Sequence, residues 1–125
     1  MAKKRILVVD DSSDITTPLK MYLEKTGVYE VRVENLGASA LGAAKEFQPD
    51  LVLLDVVMPD MDGGDVAAQL EDDPATENIP IVLLTASVTK QEAGQMGGTL
   101  GGKAILSKLT SLKEIIEFIK LQIGA

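Results

Sequence analysis

The sequence predicts an α/β domain, a three-layer (βα)5 doubly wound parallel sheet with strand order 2-1-3-4-5. Three observations lead there. Residues 6–9, 51–54 and 81–84 are continuous apolar runs, the pattern of strands buried on both faces. These runs alternate with stretches of helical period, so successive strands return parallel through right-handed crossovers. Residues 30–34 instead alternate polar and apolar, which half-buries the second strand and assigns it to an edge.

Taken in order, residues 6–9 form the first strand and end at Asp10 and Asp11. Ser12 or Ser13 is placed to cap the helix that follows, and Asp14 suits its first turn. Ile15, Leu19 and Leu23 give this helix an apolar face, with Pro18 near the first turn and Gly27 as its stop. After the edge strand, Leu36, Ala40, Leu41, Ala44 and Phe47 mark a second amphipathic helix, halted before Pro49. The third strand rises to Asp55, and Val66, Ala67 and Leu70 define a helix from about Gly64 to Glu71. The fourth strand ends at Thr85. A helix from about Thr89 is expected to be short and mobile, because five of the nine residues from 94 to 102 are glycine and each costs up to about 1 kcal/mol in a helix relative to alanine. Ala104, Ile105 and Leu106 form a fifth strand, and Leu112, Ile115, Ile116, Ile119 and Ile123 carry the clearest helical stripe in the chain.

Composition bounds the chemistry. A chain of 125 residues is read as one domain, 1–125, able to bury roughly two-thirds of its unfolded surface. With neither cysteine nor histidine, disulfide frameworks, zinc sites of thiolate or imidazole, cysteine nucleophiles and histidine triads are excluded. So is a phosphohistidine-donor role. The net charge of −7 argues against nucleic acid as a partner. Nine acids and no basic residue lie between residues 50 and 77, whereas lysines prevail after residue 92. The charged start leads into only four apolar residues before two aspartates, short of the about 7–15 of a signal peptide. No segment approaches the roughly 18 apolar residues of a membrane span. A soluble, cytoplasmic protein is expected.

The strand ends carry the functional argument. In the order 2-1-3-4-5, Asp10 and Asp11, Asp55, Thr85 and Lys108 stand at the carboxyl ends of neighbouring strands, beside the switch point where such sheets bind ligands. Three carboxylates a few ångströms apart repel one another unless a cation joins them. An all-oxygen site suits Mg²⁺ or Mn²⁺. A metal faced by an ammonium and a hydroxyl is a set of donors for phosphoryl oxygens. Asp55, alone on the central strand, is the candidate nucleophile, since carboxylates form acyl phosphates.

These residues, the stretch from Asp55 through Met58, Pro59 and Asp62 to Gly63, and the Ser107-Lys108 pair resemble the receiver domain of two-component response regulators, the CheY-like family with a flavodoxin-like fold. The resemblance covers essentially the whole chain. It implies phosphorylation of Asp55 from a phosphohistidine on a sensor histidine kinase or histidine phosphotransfer protein. It further implies that Asp10, Asp11, Asp55 and the Val57 carbonyl hold Mg²⁺, and that Lys108, Thr85 and the Ala86 amide contact the phosphoryl group. Val57 thus acts through its backbone in both settings. The family's usual downstream docking surface, formed by the fourth helix, fifth strand and fifth helix, makes Phe118 and Leu121 candidate contacts. Such a module assists its own phosphotransfer and dephosphorylation without turning over an independent substrate.

Two positions depart from the family. Leu109 follows the lysine where proline in a cis peptide is usual, and a non-proline cis bond costs roughly 2.5–4 kcal/mol, so the loop is either strained or trans. Ile105 stands where the family often has a switching aromatic, so switching must proceed in another way. These departures motivate the alternative of a degenerate receiver, a binding or scaffold module independent of phosphorylation. An Asp55-nucleophile phosphatase is the enzyme alternative, for which the sequence offers no substrate pocket. Residues 97–104 nearly spell a phosphate-binding GxxxxGK[ST] loop, but Ala104 replaces the required hydroxyl and the stretch precedes a strand instead of opening a helix.

Overall fold

Each fully apolar run forms a strand with every residue buried, because helices cover both faces of the sheet. The computed structural model of the chain describes residues 3–56, 58–85, 99–100, 103–107 and 111–123. In order these form β1 (Lys4–Val9), α1 (Ser13–Lys25), β2 (Tyr29–Glu34), a 3-10 turn (Gly37–Ser39), α2 (Ala40–Phe47), β3 (Leu51–Asp55), α3 (Gly63–Asp72), β4 (Ile81–Thr85), β5 (Thr99–Leu100), β6 (Lys103–Ser107) and α4 (Leu112–Ile123). Five strands pair in parallel in the order β2-β1-β3-β4-β6, the predicted arrangement. Register is direct at the site: Val9 pairs with Leu54, Asp55 with Leu84, and Thr85 with Ser107.

Alternation along the strands divides the interior in two. Leu7, Val9, Val52, Leu54, Leu83 and Ile105 pack against small residues of α2 (Ala40, Ala43, Ala44) and against Val66, Ala67 and Leu70 of α3. On the opposite face Ile6, Val8, Leu51, Leu53, Val82 and Leu84 meet Leu19 and Leu23 of α1 and Ile115, Ile116 and Ile119 of α4. Burying each of the larger side chains contributes about 1.5–3 kcal/mol. The two apolar layers hold the β1, β3 and β4 ends side by side.

Several local expectations are corrected. The sheet has a sixth strand, since Thr99 and Leu100 pair antiparallel with Ala104 and Lys103. The described residues of the near-match to a phosphate loop, Thr99, Leu100, Lys103 and Ala104, are all in strands, where that motif calls for a helix start. Leu36 is half exposed and precedes the 3-10 turn instead of lying on α2. Pro18 sits inside α1 beyond its first turn. Ser12 occupies the α1 N-cap, but its hydroxyl makes no capping bond. Phe118 packs partly into the α1–α4 layer, leaving Leu121, 82% exposed, as the open apolar residue of α4. The helix expected from Thr89, with its glycines from 94 to 98, lies outside the described residues.

Candidate functional site

Asp10 follows β1 directly and is fully buried, while the adjacent Asp11 is exposed. The Ser12 N–H donates to Asp10 Oδ1 at 2.9 Å, and the Asn35 side-chain amide donates to the Asp10 carbonyl at 2.8 Å. The Asp10 N–H donates to the Glu34 carbonyl at 3.1 Å. Backbone groups of Ser12 and Glu34 and the Asn35 side chain thus hold this aspartate in place. Asp55 is the last residue of β3 and only 3% exposed. The Val56 N–H continues the sheet by donating to the Leu84 carbonyl at 3.0 Å.

Asp10, Asp11 and Asp55 each offer a carboxylate oxygen, and the three lie within 4.8 Å of one another. Three carboxylate oxygens gathered this closely are a candidate site for one cation. The all-carboxylate donor set fits a hard cation. Thr85 and Ser107 end the neighbouring strands, both buried, with Ser107 fully so. The structure therefore brings together Asp10, Asp11 and Asp55 and ends the adjacent strand at Thr85, one residue beyond the Leu84 that pairs with Asp55. Val57, Ala86, Lys108 and Leu109 lie outside the described residues. Ile105 is 3% exposed and belongs to the apolar layer under α2 and α3.

The segment leaving Asp55 is shaped by residues to which sequence reasoning gave no structural role. The Gly63 N–H donates to the Val56 carbonyl at 2.8 Å. A Cβ on Gly63 would collide with the Asp55 carbonyl and stand 2.8 Å from Val56 Cα, so only glycine fits this approach. Asp62 caps α3, its Oδ1 accepting from the Gly64 N–H at 2.8 Å. Asp60 reaches to the 3-10 turn, where Oδ1 accepts from the Gly37 N–H and Oδ2 from the Ala38 N–H, each at 3.0 Å. Those bonds, Ala38 first and Gly37 next, hold the Asp60 carboxyl below its ordinary pKa. The Asp-before-Gly spacing signals the Asp62 cap, whereas a partner more than twenty residues away leaves no local signal for Asp60.

Beside this crevice an apolar groove of about 300 Å³ separates α1 from α4, with Ile15, Pro18 and Leu19 facing Leu112 and Ile115 over Leu84. Among the described residues no helix is long and apolar enough to cross a membrane.

Comparisons with known proteins converge. Residues 6–120 match the family model described as response regulator receiver domain. The chain is 32% identical over 123 residues to the polar-differentiation response regulator DivK of Brucella anthropi, covering 97% of each chain. Among solved structures it resembles the Vibrio cholerae chemotaxis protein CheY4, with a TM-score of 0.81, 27% identity, and coverage of 96% and 98% of the two chains. It also shares the fold of the receiver domain of a sensor histidine kinase from Pseudomonas aeruginosa, with a TM-score of 0.81 and 24% identity, covering 99% of this chain and 100% of that one. That structure has a magnesium ion coordinated in its active site cleft.

Proposed function

The chain belongs to the response regulator receiver domain family, and on that premise we propose that it is a phosphoacceptor module whose Asp55 takes a phosphoryl group from a phosphohistidine. The donor is a sensor histidine kinase or a histidine phosphotransfer protein, and the output is a protein–protein contact. The reading extends to residues 1–125 as one receiver unit working in the cytoplasm, without an independent turnover substrate. The observation that carries it is the gathering of Asp10, Asp11 and Asp55 within one ion's reach.

In this proposal Asp10, Asp11, Asp55 and the Val57 carbonyl hold Mg²⁺, with Mn²⁺ a second ion suited to the same oxygens. An ion held there would supply positive charge to offset the carboxylates and the phosphoryl oxygens. Asp55 then attacks phosphorus, forming a P–O bond as the P–N bond to the donor imidazole breaks. The Thr85 hydroxyl and the Ala86 amide donate to the phosphoryl oxygens, and the Lys108 ammonium balances their charge. Leu121, the exposed apolar residue of α4, is the candidate downstream contact, with Phe118 behind it.

Intact-mass analysis after incubation with acetyl phosphate and Mg²⁺ tests the proposal. Wild type gains one phosphoryl mass and Asp55→Asn gains none; an unmodified wild type, or an equally modified variant, overturns it. Ile105 and Leu109, which depart from the family's usual residues, motivate a second reading, a receiver that keeps the fold and binds its partner without switching. That reading predicts partner affinity unchanged by phosphorylation.

A further inference from the structure

The loop from Val56 to Gly63 is tied at two points on either side of the segment that leaves Asp55. At its base the Gly63 N–H closes onto the Val56 carbonyl at 2.8 Å. At its tip Asp60 uses both carboxylate oxygens, one on the Gly37 N–H and one on the Ala38 N–H, each at 3.0 Å. Between the ties, Met58 is buried in the apolar layer under α2 and α3. Pro59 fixes its own φ and biases Met58 toward extended backbone. The tip sits directly on the 3-10 turn: a Cβ at Gly37 would come within 2.9 Å of Met61 Cβ and 3.0 Å of Val66 Cγ2. No side chain other than a short carboxylate offers two acceptors to two successive N–H groups across such a close contact.

We propose that Asp60 is a positioning residue for the divalent-cation site, clamping the loop that leaves Asp55 onto the first turn before α2. This rests on the reading of the strand-end cluster as an Mg²⁺-assisted phosphoacceptor. Asp60 touches neither ion nor phosphoryl group. It limits the freedom of the described residues Val56 and Met58, the neighbours of Val57, whose carbonyl is a backbone ligand in that reading. A carboxylate that only supported the start of α2 would affect stability and leave the ion's affinity alone.

The full-length chain separates the two roles. Mg²⁺ is titrated into wild type, Asp60→Ala, Asp60→Asn and Thr76→Val, with binding read by calorimetry and by melting temperature. Thr76 is a stability control, since its buried hydroxyl donates to the Leu70 carbonyl at 2.6 Å, at the far end of α3. Expected is an Mg²⁺ dissociation constant raised about tenfold in Asp60→Ala, the scale seen when a group supporting a metal ligand is lost. Asp60→Asn, which keeps one acceptor, falls between. Thr76→Val binds as wild type does, and acetyl-phosphate labelling of Asp60→Ala at saturating Mg²⁺ stays within about twofold of wild type, the pattern of lost ion binding with the chemical step intact. Equal weakening in Asp60→Ala and Thr76→Val, or wild-type affinity in Asp60→Ala, overturns the positioning role. A wild type that binds no Mg²⁺ and accepts no phosphoryl group defeats the underlying reading instead.

Discussion

The two sides of the strand-end crevice present different chemistry, carboxylates on the β1–β3 side and hydroxyls on the β4–β6 side. On the β1–β3 side, short hydrogen bonds fix nearly every turn of the chain around Asp10 and Asp55: from Ser12, from Asn35, within the Val56–Gly63 closure, and out to Asp60 on the 3-10 turn. On the β4–β6 side, Thr85 and Ser107 are an in-register pair above Leu83 and Ile105, and those two residues belong to the apolar layer. Hydrogen bonds aim charged groups, because their strength falls steeply with angle and distance. Packing sets volume and tolerates exchange of similar shapes. In the proposed function the acid side is where the phosphoryl group is received, and the hydroxyl side, lying over the apolar layer, is where its arrival is read.

Substitutions that respect this division have sharply different signatures. Asp55→Asn has the largest effect, complete loss of phosphoryl mass on exposure to acetyl phosphate, with little change in melting temperature. Ile105→Ala should do the reverse. Removing a side chain that is 3% exposed costs about 3 kcal/mol, or roughly 10 °C in melting temperature, while Asp55 continues to be labelled. An Ile105→Ala protein that melts normally but cannot be phosphorylated breaks the comparison. Gly63→Ala lies between the two classes, since its Cβ strikes the backbone of Asp55 and Val56 themselves. Overpacking against backbone is expected to cost about 1–3 kcal/mol and, unlike Ile105→Ala, to slow labelling as well.

A smaller effect sharpens the acid side alone. An ion that binds only the folded chain stabilises it by RT ln(1 + [L]/Kd), about 1.4 kcal/mol at ten times Kd. Mg²⁺ should raise the melting temperature of wild type accordingly, and Asp11→Asn should lose most of that rise, since Asp11 contributes one of the three carboxylates clustered among the described residues. Equal Mg²⁺-induced rises in the two proteins would remove Asp11 from the ion's ligands. Ile105→Ala should keep the wild-type increment on its lower baseline.

The sheet and the carboxylate cluster were legible because their signals are local and periodic. Four-residue apolar runs ended in acids at residues 6–11 and 51–55, and period-two alternation singled out the edge strand. What escaped depends on contacts between distant stretches. Leu36 follows the spacing of α2 yet precedes the helix, because Asp60 ties Gly37 and Ala38 into a 3-10 turn first. Ser12 looks like a capping hydroxyl, but its N–H is directed to Asp10. Phe118 falls off the α4 stripe by periodicity and still packs partly into the layer between α1 and α4. Thr99 and Leu100 pair beside β6 in a glycine-rich stretch whose composition carries no strand signal. Hydrogen bonds spanning more than twenty residues leave no trace in a sliding window, and these are the bonds that dress the site.

The smallest expected effect compares the exposed Asp60 with the partly buried Asp73. Asp73 accepts from the Ala75 N–H at 2.9 Å and pairs with Lys45 at 3.3 Å, which hold its carboxyl below the ordinary value of 3.8, the backbone bond counting most. Asp60 is lowered likewise by its two backbone bonds. A carboxyl whose folded pKa is depressed binds its proton more readily in the unfolded chain. Its stabilisation is therefore fully present above the ordinary value and fades as pH falls through the lower folded one. Asp73→Asn and Asp60→Asn should each sit below wild type by a constant margin from neutral pH down to about pH 4, with the margin shrinking below that as wild type loses the same interaction. Melting curves across this range check the sign, since a margin that grows on acidification would contradict depressed values. The two variants part company only when Mg²⁺ is added at neutral pH: Asp73 is tied to the α3 end remote from the crevice, so Asp73→Asn keeps the full ion-induced rise, and Asp60→Asn does not.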